Sequence, residues 1–439
     1  MLMNKSLAFF CVLSAVSVLS GCSSDKVIPQ GKRISVLEQS AAVKQEVVDG
    51  ASHINLAEPV VTAYWRQKDA NAQHLVPNVK MASPKWHKVW KSSFGTGSSK
   101  HEFLISRPLI NGEHIYTLDA KGVLRSFKLA DGETEWVVEL RSPEKHVKDT
   151  ALKGVGIAMD GNAIYATTGF GMVYAVRAKD GKVLWNYDTQ MPLRIAPVVA
   201  GGKVFVQSVD NKFWALDVND GEVLWQYDIA MENTTMVGGA SAAYSPDLDM
   251  IVTGFSNGEL QAFNATIGTP LWTDTLISNR YAYSTTALHT VKAAPVIEGN
   301  RLYALGASNV FTAIDMRSGM RIWEKEIGGS NTPLLSGNTL YVITDKNDLV
   351  ALDKNDGRIL WAKALNYGKR NKKAQVFGPV MINSQLVVTM SNGYVVTFNA
   401  KTGDELDRVD AGEELNGAPI AANHRVVLIS DNAKLIVCE

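Results

Sequence analysis

The stretch Val204 to Trp225, VFVQSVDNKFWALDVNDGEVLW, decides the fold. Two short apolar runs rich in β-branched and aromatic residues, Val204 to Val206 and Phe213 to Leu216, flank the turn residues Asp210 and Asn211. A second turn, Asn219-Asp220-Gly221, leads to a third run that ends at Trp225. This pattern predicts antiparallel strands joined by hairpins. The end of the unit reads Ala215-x-Asp217-x-x-x-Gly221-x-x-x-Trp225. The frame returns at Ala175/Gly181/Trp185, Ala262/Asn264/Gly268/Trp272, Ala313/Asp315/Gly319/Trp323 and Ala351/Asp353/Gly357/Trp361. Weaker copies stand at Ser126/Gly132/Trp136 and Thr397/Asn399/Gly403/Asp407. In all seven the glycine precedes the last position by four residues, and six of the seven end in Trp, so the register is that of a true repeat.

Successive end positions are separated by 49, 40, 47, 51, 38 and 46 residues. That is the range of one four-stranded propeller blade. A helical repeat of similar length is excluded, because the runs are too short, too β-branched and too often broken by turn residues. The ends of the chain fix the blade count. Leu435 to Glu439 aligns with Leu349 to Asp353, so the last copy stops at its Asp position without a Gly turn or a Trp strand. The missing strand is supplied by Trp86 to Trp90, since Trp90 lies 46 residues before Trp136. The expected fold is therefore all-β, an eight-bladed β-propeller of four-stranded antiparallel blades. Its eighth blade is shared between the N-terminal strand and the C-terminus, which removes unpaired sheet edges.

Packing accounts for the repeated Trp90, Trp136, Trp185, Trp225, Trp272, Trp323 and Trp361. At the start of an outer strand each ring can lie against the next blade, burying roughly 200 Å² at about 25 cal/mol/Å², on the order of 5 kcal/mol before entropy. The glycine suits a turn position of positive φ, and the Asp or Asn can accept from turn amides. These residues read as structural.

A closed ring of repeats accounts for most of the 439 residues as one domain, 85–439. Lys plus Arg equals Asp plus Glu at 44 each, so no global electrostatic case exists for nucleic acid. Residues 1–21 read as a signal peptide: Lys5 precedes an apolar run from Leu7 to Leu19 that is too short for a membrane span. The run ends in Leu19-Ser20-Gly21-Cys22, which resembles the lipobox of bacterial lipoproteins. That resemblance implies acylation of Cys22, and Ser23 after it implies sorting to the outer membrane. Multiple acyl chains, at about 0.8 kcal/mol per buried CH₂, anchor a protein stably. With Cys11 removed and Cys22 lipidated, Cys438 is alone, so no disulfide forms and Cys438 reads as a small buried residue. Residues 22–84 lack the repeat; Ser23 to Gly50 reads as a tether, and Ile54 to Asn78, with Trp65 and His74, as a segment that docks on the propeller.

Most blades open on a short apolar run with Pro at its start, such as Arg107-Pro108-Leu109-Ile110, Ala196-Pro197-Val198-Val199 and Ala294-Pro295-Val296-Ile297. Proline has no N–H to lose at the first position of a strand. These runs would be the innermost strands, lining the channel. Insertions at Ser142 to Lys153, Met231 to Gly239, Ser278 to Lys292 and Tyr367 to Gln375 all precede an innermost strand. They must emerge on one face of the disc, the usual binding face of a repeat protein. The basic run Lys369-Arg370-Asn371-Lys372-Lys373 in the last of them reads as a solvated loop tip.

The frame Ala-x-Asp-x-x-x-Gly-x-x-x-Trp resembles the quinoprotein repeat of dehydrogenases that use pyrroloquinoline quinone. That class needs calcium held by carboxylate and amide oxygens on the axis, and many members carry two adjacent cysteines. Here the innermost runs carry Pro, Ala, Val, Ile and Leu, no adjacent cysteines occur, and the eight histidines show no metal-ligand spacing. Neither a metal nor another cofactor is expected. A lipobox, a tether and eight quinoprotein-like blades without quinone ligands together resemble the BamB family of lipoproteins. Segments such as Gly31 to Leu37 and Ala163 to Gly171 look like its alphaproteobacterial branch. The resemblance implies a non-enzymatic subunit of the β-barrel assembly machinery. Such a subunit sits at the periplasmic side of the outer membrane, binds the periplasmic domains of BamA, assists insertion of outer-membrane proteins, and has no nucleic-acid or small-molecule substrate. The alternatives are a quinone-dependent periplasmic dehydrogenase and another kind of envelope scaffold.

Enteric members contact BamA through loops entering the fourth and fifth blades, with a Leu-x-Leu-Arg run and an Asp-x-Asp pair. Here Asn233 to Gly238 and Thr290-Val291-Lys292 stand in those places. The resemblance implies the same location with different side chains. The expected partner-binding residues are Thr234, Met236 and Val237 in the first loop, and Arg280, Tyr281, Tyr283 and Lys292 in the second. They supply apolar, aromatic and cationic groups of the kind that dominate interface energies.

Overall fold

A computed structural model describes residues 43–83, 85–100, 102–141, 153–229, 239–278, 290–365, 367 and 374–439. The described residues form eight antiparallel sheets, one per blade. Blade 3 shows the plan: Val198–Ala200 innermost, then Lys203–Gln207, Lys212–Asp217 and, outermost, Val223–Asp228. Its strands alternate between the two neighbouring blades, so apolar layers fill the spaces between blades.

The ring closes where the chain ends meet. Lys88–Ser93 pairs with Lys434–Cys438 as the outer strand of blade 8, after Arg425–Ile429 and the innermost Ile420–Ala422. Cys438 is a buried free cysteine in that strand, and burial pushes its thiol pKa up. The prolines sit as their chemistry requires. Pro108, Pro197, Pro295, Pro333 and Pro419 each immediately precede the innermost strand, and Pro379 stands at the break in pairing between Phe377 and Val380.

The repeat frame acts between blades. Within a blade the Trp pairs with the Ala of the frame, as in Ala215 with Trp225 and Ala313 with Trp323. A bulge beside that pair shifts the register. The indole then lies on the Gly turn of the following blade: Trp185 on Gly221, Trp225 on Gly268, Trp323 on Gly357. Each of the seven indole N–H groups donates to the carbonyl three residues before that glycine, at 2.6–3.3 Å, from Trp90 to Leu129 through Trp361 to Ala400. The turn itself is held by its Asp or Asn, whose side chain accepts from following amides, as Asp315 does from Arg317 and Ser318.

This arrangement explains the one copy without Trp. Blade 7 ends its frame at Asp407, and its neighbour, blade 8, is the split blade. There the outer strand, Lys88–Ser93, comes from an earlier part of the chain, and the backbone N–H and C=O of Glu439 bond to His87. Among the described residues no Gly turn joins those two strands to receive a blade 7 indole.

Residues 54–81 cross the axis and bond to the innermost strand region of every blade. Tyr64–Trp65 adds a fifth strand to blade 1 on Leu109–Asn111. Carbonyls of Thr62, Arg66, Ala72 and Gln73 accept from Asn423, Met159, Tyr244 and Ile297. Gln67 brackets Val199 through both side-chain polar atoms, Ala57 N–H donates to Ser336, and Val79 bonds Met381 and Asn383. These contacts lie where the innermost strands turn into the second strands, opposite the end at which the chain enters each innermost strand. The segment is thus a plug with its own buried anchors, Trp65, Val79 and Met81.

Candidate functional site

A cavity of about 350 Å³, the cup, lies on the axis beside the plug. All eight blades contribute to its wall just before or at their innermost strands, and Trp65, Lys68, Asp69 and Val76 of the plug form its floor. The wall is small and apolar where Pro, Ala and Gly approach, in keeping with the sequence reading. Its charges are not apolar at all. Lys68, Arg107, Arg194 and Lys292 line the cup, opposed among its lining residues by the single carboxylate of Asp69.

Local structure positions each of them. Lys68 and Asp69 occupy the tip of a tight turn closed by the Ala70 N–H bond to Gln67 O, with Asp69 and Ala70 at φ of 53° and 76°. Positive φ at Ala is uncommon and costs the chain stability. The Asp69 carboxylate accepts from Thr332 at 2.6 Å. Arg107 lies flat on Gly417, where a Cβ would fall 2.2 Å from its Cζ, and donates to the carbonyl of Asn416. Asn416 is itself fixed by bonds to Leu104 O and the Asp431 carboxylate. Arg194 is 4% exposed and packs against Gly239.

Burial is the largest influence on all four cations. It pushes the Arg107 guanidinium down to about 10, against the opposing pull of Asp69 and Asp431, and Arg194 likewise to about 10. Lys68 is lowered by burial, with Asp69 opposing and Arg107 and Lys292 adding to the effect. Lys292 is lowered by burial and then by Arg194, with Asp345 opposing. Neighbouring cations thus add to burial at Lys68 and Lys292, and carboxylates oppose it at Lys68, Arg107 and Lys292.

The expected partner-binding residues separate into two groups. Thr234, Met236, Val237, Arg280, Tyr281 and Tyr283 lie outside the described residues, as do Cys22 and the basic run Lys369 to Lys373. Lys292 is described, half-buried, and lines the cup. Sequence reasoning passed over Lys68, Arg107 and Arg194 as site residues. A signal existed: Arg194 and Lys292 each stand three residues before the Pro of an innermost strand, and Arg107 directly before one.

The donor set bears on the cofactor that this architecture serves elsewhere. Calcium takes six to eight oxygen ligands, mostly carboxylate and carbonyl. Among the described residues no grouping of three or more His, Cys, Asp or Glu could hold a metal. The cup's one carboxylate stands among four cations, so its residues do not fit a calcium–quinone centre.

Fold and site together define a quinoprotein-like β-propeller with a plugged, cationic axis. A family model described as "Outer membrane protein assembly factor BamB" matches residues 147–363. The Yersinia pestis protein of that name is 26% identical over 390 residues, covering 88% of this chain and 94% of its own. The chain is thus similar to the BamB family, through the blades the model matches and through a relative covered over nearly all of its length. Among solved structures, BamB from Moraxella catarrhalis superposes with a TM-score of 0.68 at 19% identity, covering 81% of this chain and all of its own. Quinohemoprotein alcohol dehydrogenase from Comamonas testosteroni gives 0.68 at 12% identity, covering 89% of this chain and 83% of its own. At these identities the two structures speak to the fold alone.

Proposed function

We propose that the protein is a non-enzymatic scaffold of outer-membrane protein assembly, anchored at the periplasmic face of the outer membrane by acylated Cys22. It docks on the periplasmic domains of BamA through the face from which the insertions emerge. The observation that carries the non-enzymatic reading is the donor set of the axis, where four cations stand in place of calcium-binding oxygens. The family relationship supports the partner. The location is supported by Asp228 and Thr275, which end the outer strands of blades 3 and 4 on the side where the chain crosses to the next innermost strand.

Three measurements test this reading. Co-purification of BamA should fall at least tenfold, about 1.4 kcal/mol, when Met236, Arg280 and Tyr281 are replaced by Ala or Glu, with the melting temperature unchanged. Undiminished recovery refutes the location. Calorimetry with pyrroloquinoline quinone plus calcium should show no micromolar binding, and such binding would restore the dehydrogenase reading. Metabolic labelling with a palmitate analogue should be lost in Cys22→Ser, and equal labelling of the variant overturns the anchor.

A further inference from the structure

We propose that a cavity between blades 7 and 8 receives one aromatic side chain, best a tryptophan, from an extended segment of a partner polypeptide. The cavity measures about 150 Å³ and lies beside Asp407, the one frame position that is not Trp. Apolar cavities of about 150 Å³ take a single ring such as benzene, whereas sites for whole small-molecule ligands start at about 300 Å³. The space therefore suits a side chain. The junction of blades 2 and 3 shows what such a space holds when it is filled, because its residues have counterparts 222 positions later, at the junction of blades 7 and 8. The pairing agrees: Asp407 lies opposite Thr397 as Trp185 lies opposite Ala175. At the first junction Trp185 and Trp214 share one core cluster, with Tyr187 packed against it. At the second the same positions are Asp407, Ile436 and Val409, and all three line the cavity. Three rings have become two aliphatic side chains and a carboxylate. Trp86, just before the closing strand, returns one ring to the wall, and the buried free thiol of Cys438 lines it too. What remains is a gap of about one ring.

A partner can reach the gap because its rim is exposed. Val409 is 50% exposed, and the outer strand of blade 7, Glu405–Asp410, is exposed along its whole length. An outermost strand offers unpaired N–H and C=O groups to another chain. This chain already uses such an offer once, where the Glu46 N–H donates to Ile359 O on the outer strand of blade 6 at 2.8 Å. An extended segment laid in the same way along blade 7 would turn alternate side chains toward the gap. Asp407 sets the preference among aromatic rings. Elsewhere in the ring the indole N–H donates to a carbonyl of the next blade's turn, and among the described residues blade 8 has no such turn. The Asp407 carboxylate lines the gap and can accept that N–H, which a phenyl ring lacks. Lys88 and Asp410 make up the rest of the charged rim.

The site does not rest on BamA docking, which was assigned to the loops that lead into blades 4 and 5. The test uses the full chain and three probes: a peptide Thr-Val-Trp-Val-Thr with blocked ends, the same peptide with Ala for Trp, and free indole. In calorimetry the Trp peptide should bind with a dissociation constant below about 1 mM and at least tenfold tighter than the Ala peptide. Saturation with it should slow alkylation of Cys438, read by mass spectrometry on the fragment that carries this residue. Asp407→Trp completes the frame and fills the gap, so it should weaken the peptide at least tenfold. Val409→Tyr copies Tyr187 at a half-exposed position that does not endanger the fold, and it should act likewise. Leu406→Ala, an exposed neighbour that does not line the gap, should leave binding unchanged. Binding of indole without the Trp peptide would assign the gap to a small aromatic molecule and overturn the polypeptide occupant. Equal binding of the two peptides, equal binding by wild type and Val409→Tyr, an equal loss in Leu406→Ala, or no Trp peptide binding below about 5 mM overturns the proposal.

Discussion

Replacing Gly221 with Ala isolates the contact on which the ring depends. Its φ of 78° puts an L residue in the left-handed region, at about 1–2 kcal/mol. The new Cβ would lie 2.5 Å from Cε3 of Trp185 and 2.9 Å from Cδ2, closer than atoms can approach, so the indole must move. Trp185 is 8% exposed and donates to Val218 O at 2.9 Å. Losing that bond costs about 1 kcal/mol. Re-exposing about a third of a ring of roughly 200 Å² adds about 1.5 kcal/mol at about 25 cal/mol/Å². The total is about 4 kcal/mol. Gly202 is the control, because its φ is 73° and a Cβ there would meet nothing within 4 Å. Gly202→Ala should therefore cost only the backbone term, about 1–2 kcal/mol, and the unfolded-chain entropy gain is common to both variants. Urea unfolding followed by tryptophan fluorescence gives the two values from midpoint and slope. Gly221→Ala should be the less stable by about 2.5 kcal/mol, from the bond and burial terms. If the two agree within about 0.5 kcal/mol, the indole is not held by the next blade's turn and the packing account fails.

Two further predictions concern the plug. His74 is buried, its Nδ1 lies 2.8 Å from Pro295 O, and burial lowers its pKa from the ordinary value, Asp69 opposing. The folded state then binds fewer protons than the unfolded one, so the neutral imidazole's contribution is fully present above the unfolded value of about 6.5 and is lost as pH falls below it. The slope is at most about 1.4 kcal/mol per pH unit, His74→Asn should flatten it between about pH 7 and about pH 5, and an unchanged slope would refute the assignment. Trp65 is 3% exposed, and Trp65→Ala should cost about 3–5 kcal/mol and release residues 54–81 to protease first. A loss under about 1 kcal/mol would mean that the plug is an appendage.

The blade plan was legible because each of its signals is local. Ala, Asp, Gly and Trp of the frame serve one turn and one bulge within about a dozen residues, and repetition averages out the imperfect copies at Ser126 and Thr397. Even the exception is readable in hindsight: Asp407 replaces Trp because blade 8 has no turn to receive an indole. The path of residues 54–81 was not legible in the same way. Its bonds are mainly backbone to backbone, as from Met159 to Arg66 and from Tyr244 to Ala72, and such bonds leave little mark on side-chain identity.

The cup was hidden by distance along the chain. Arg107, Arg194 and Lys292 are 87 and 98 residues apart, roughly two blades each, and Lys68 comes from outside the repeat altogether. A search for spacing within one motif cannot find a group assembled by closing a ring. Once eight blades are accepted, though, residues at equal offsets from the innermost strands must face each other across the axis, whatever their separation in sequence. Arg194 and Lys292 share that offset from Pro197 and Pro295. An axis judged by its strands alone looks apolar and inert. Judged one turn earlier, where the chain enters each innermost strand, it carries Arg107, Arg194 and Lys292, which no reading of the strands alone would find.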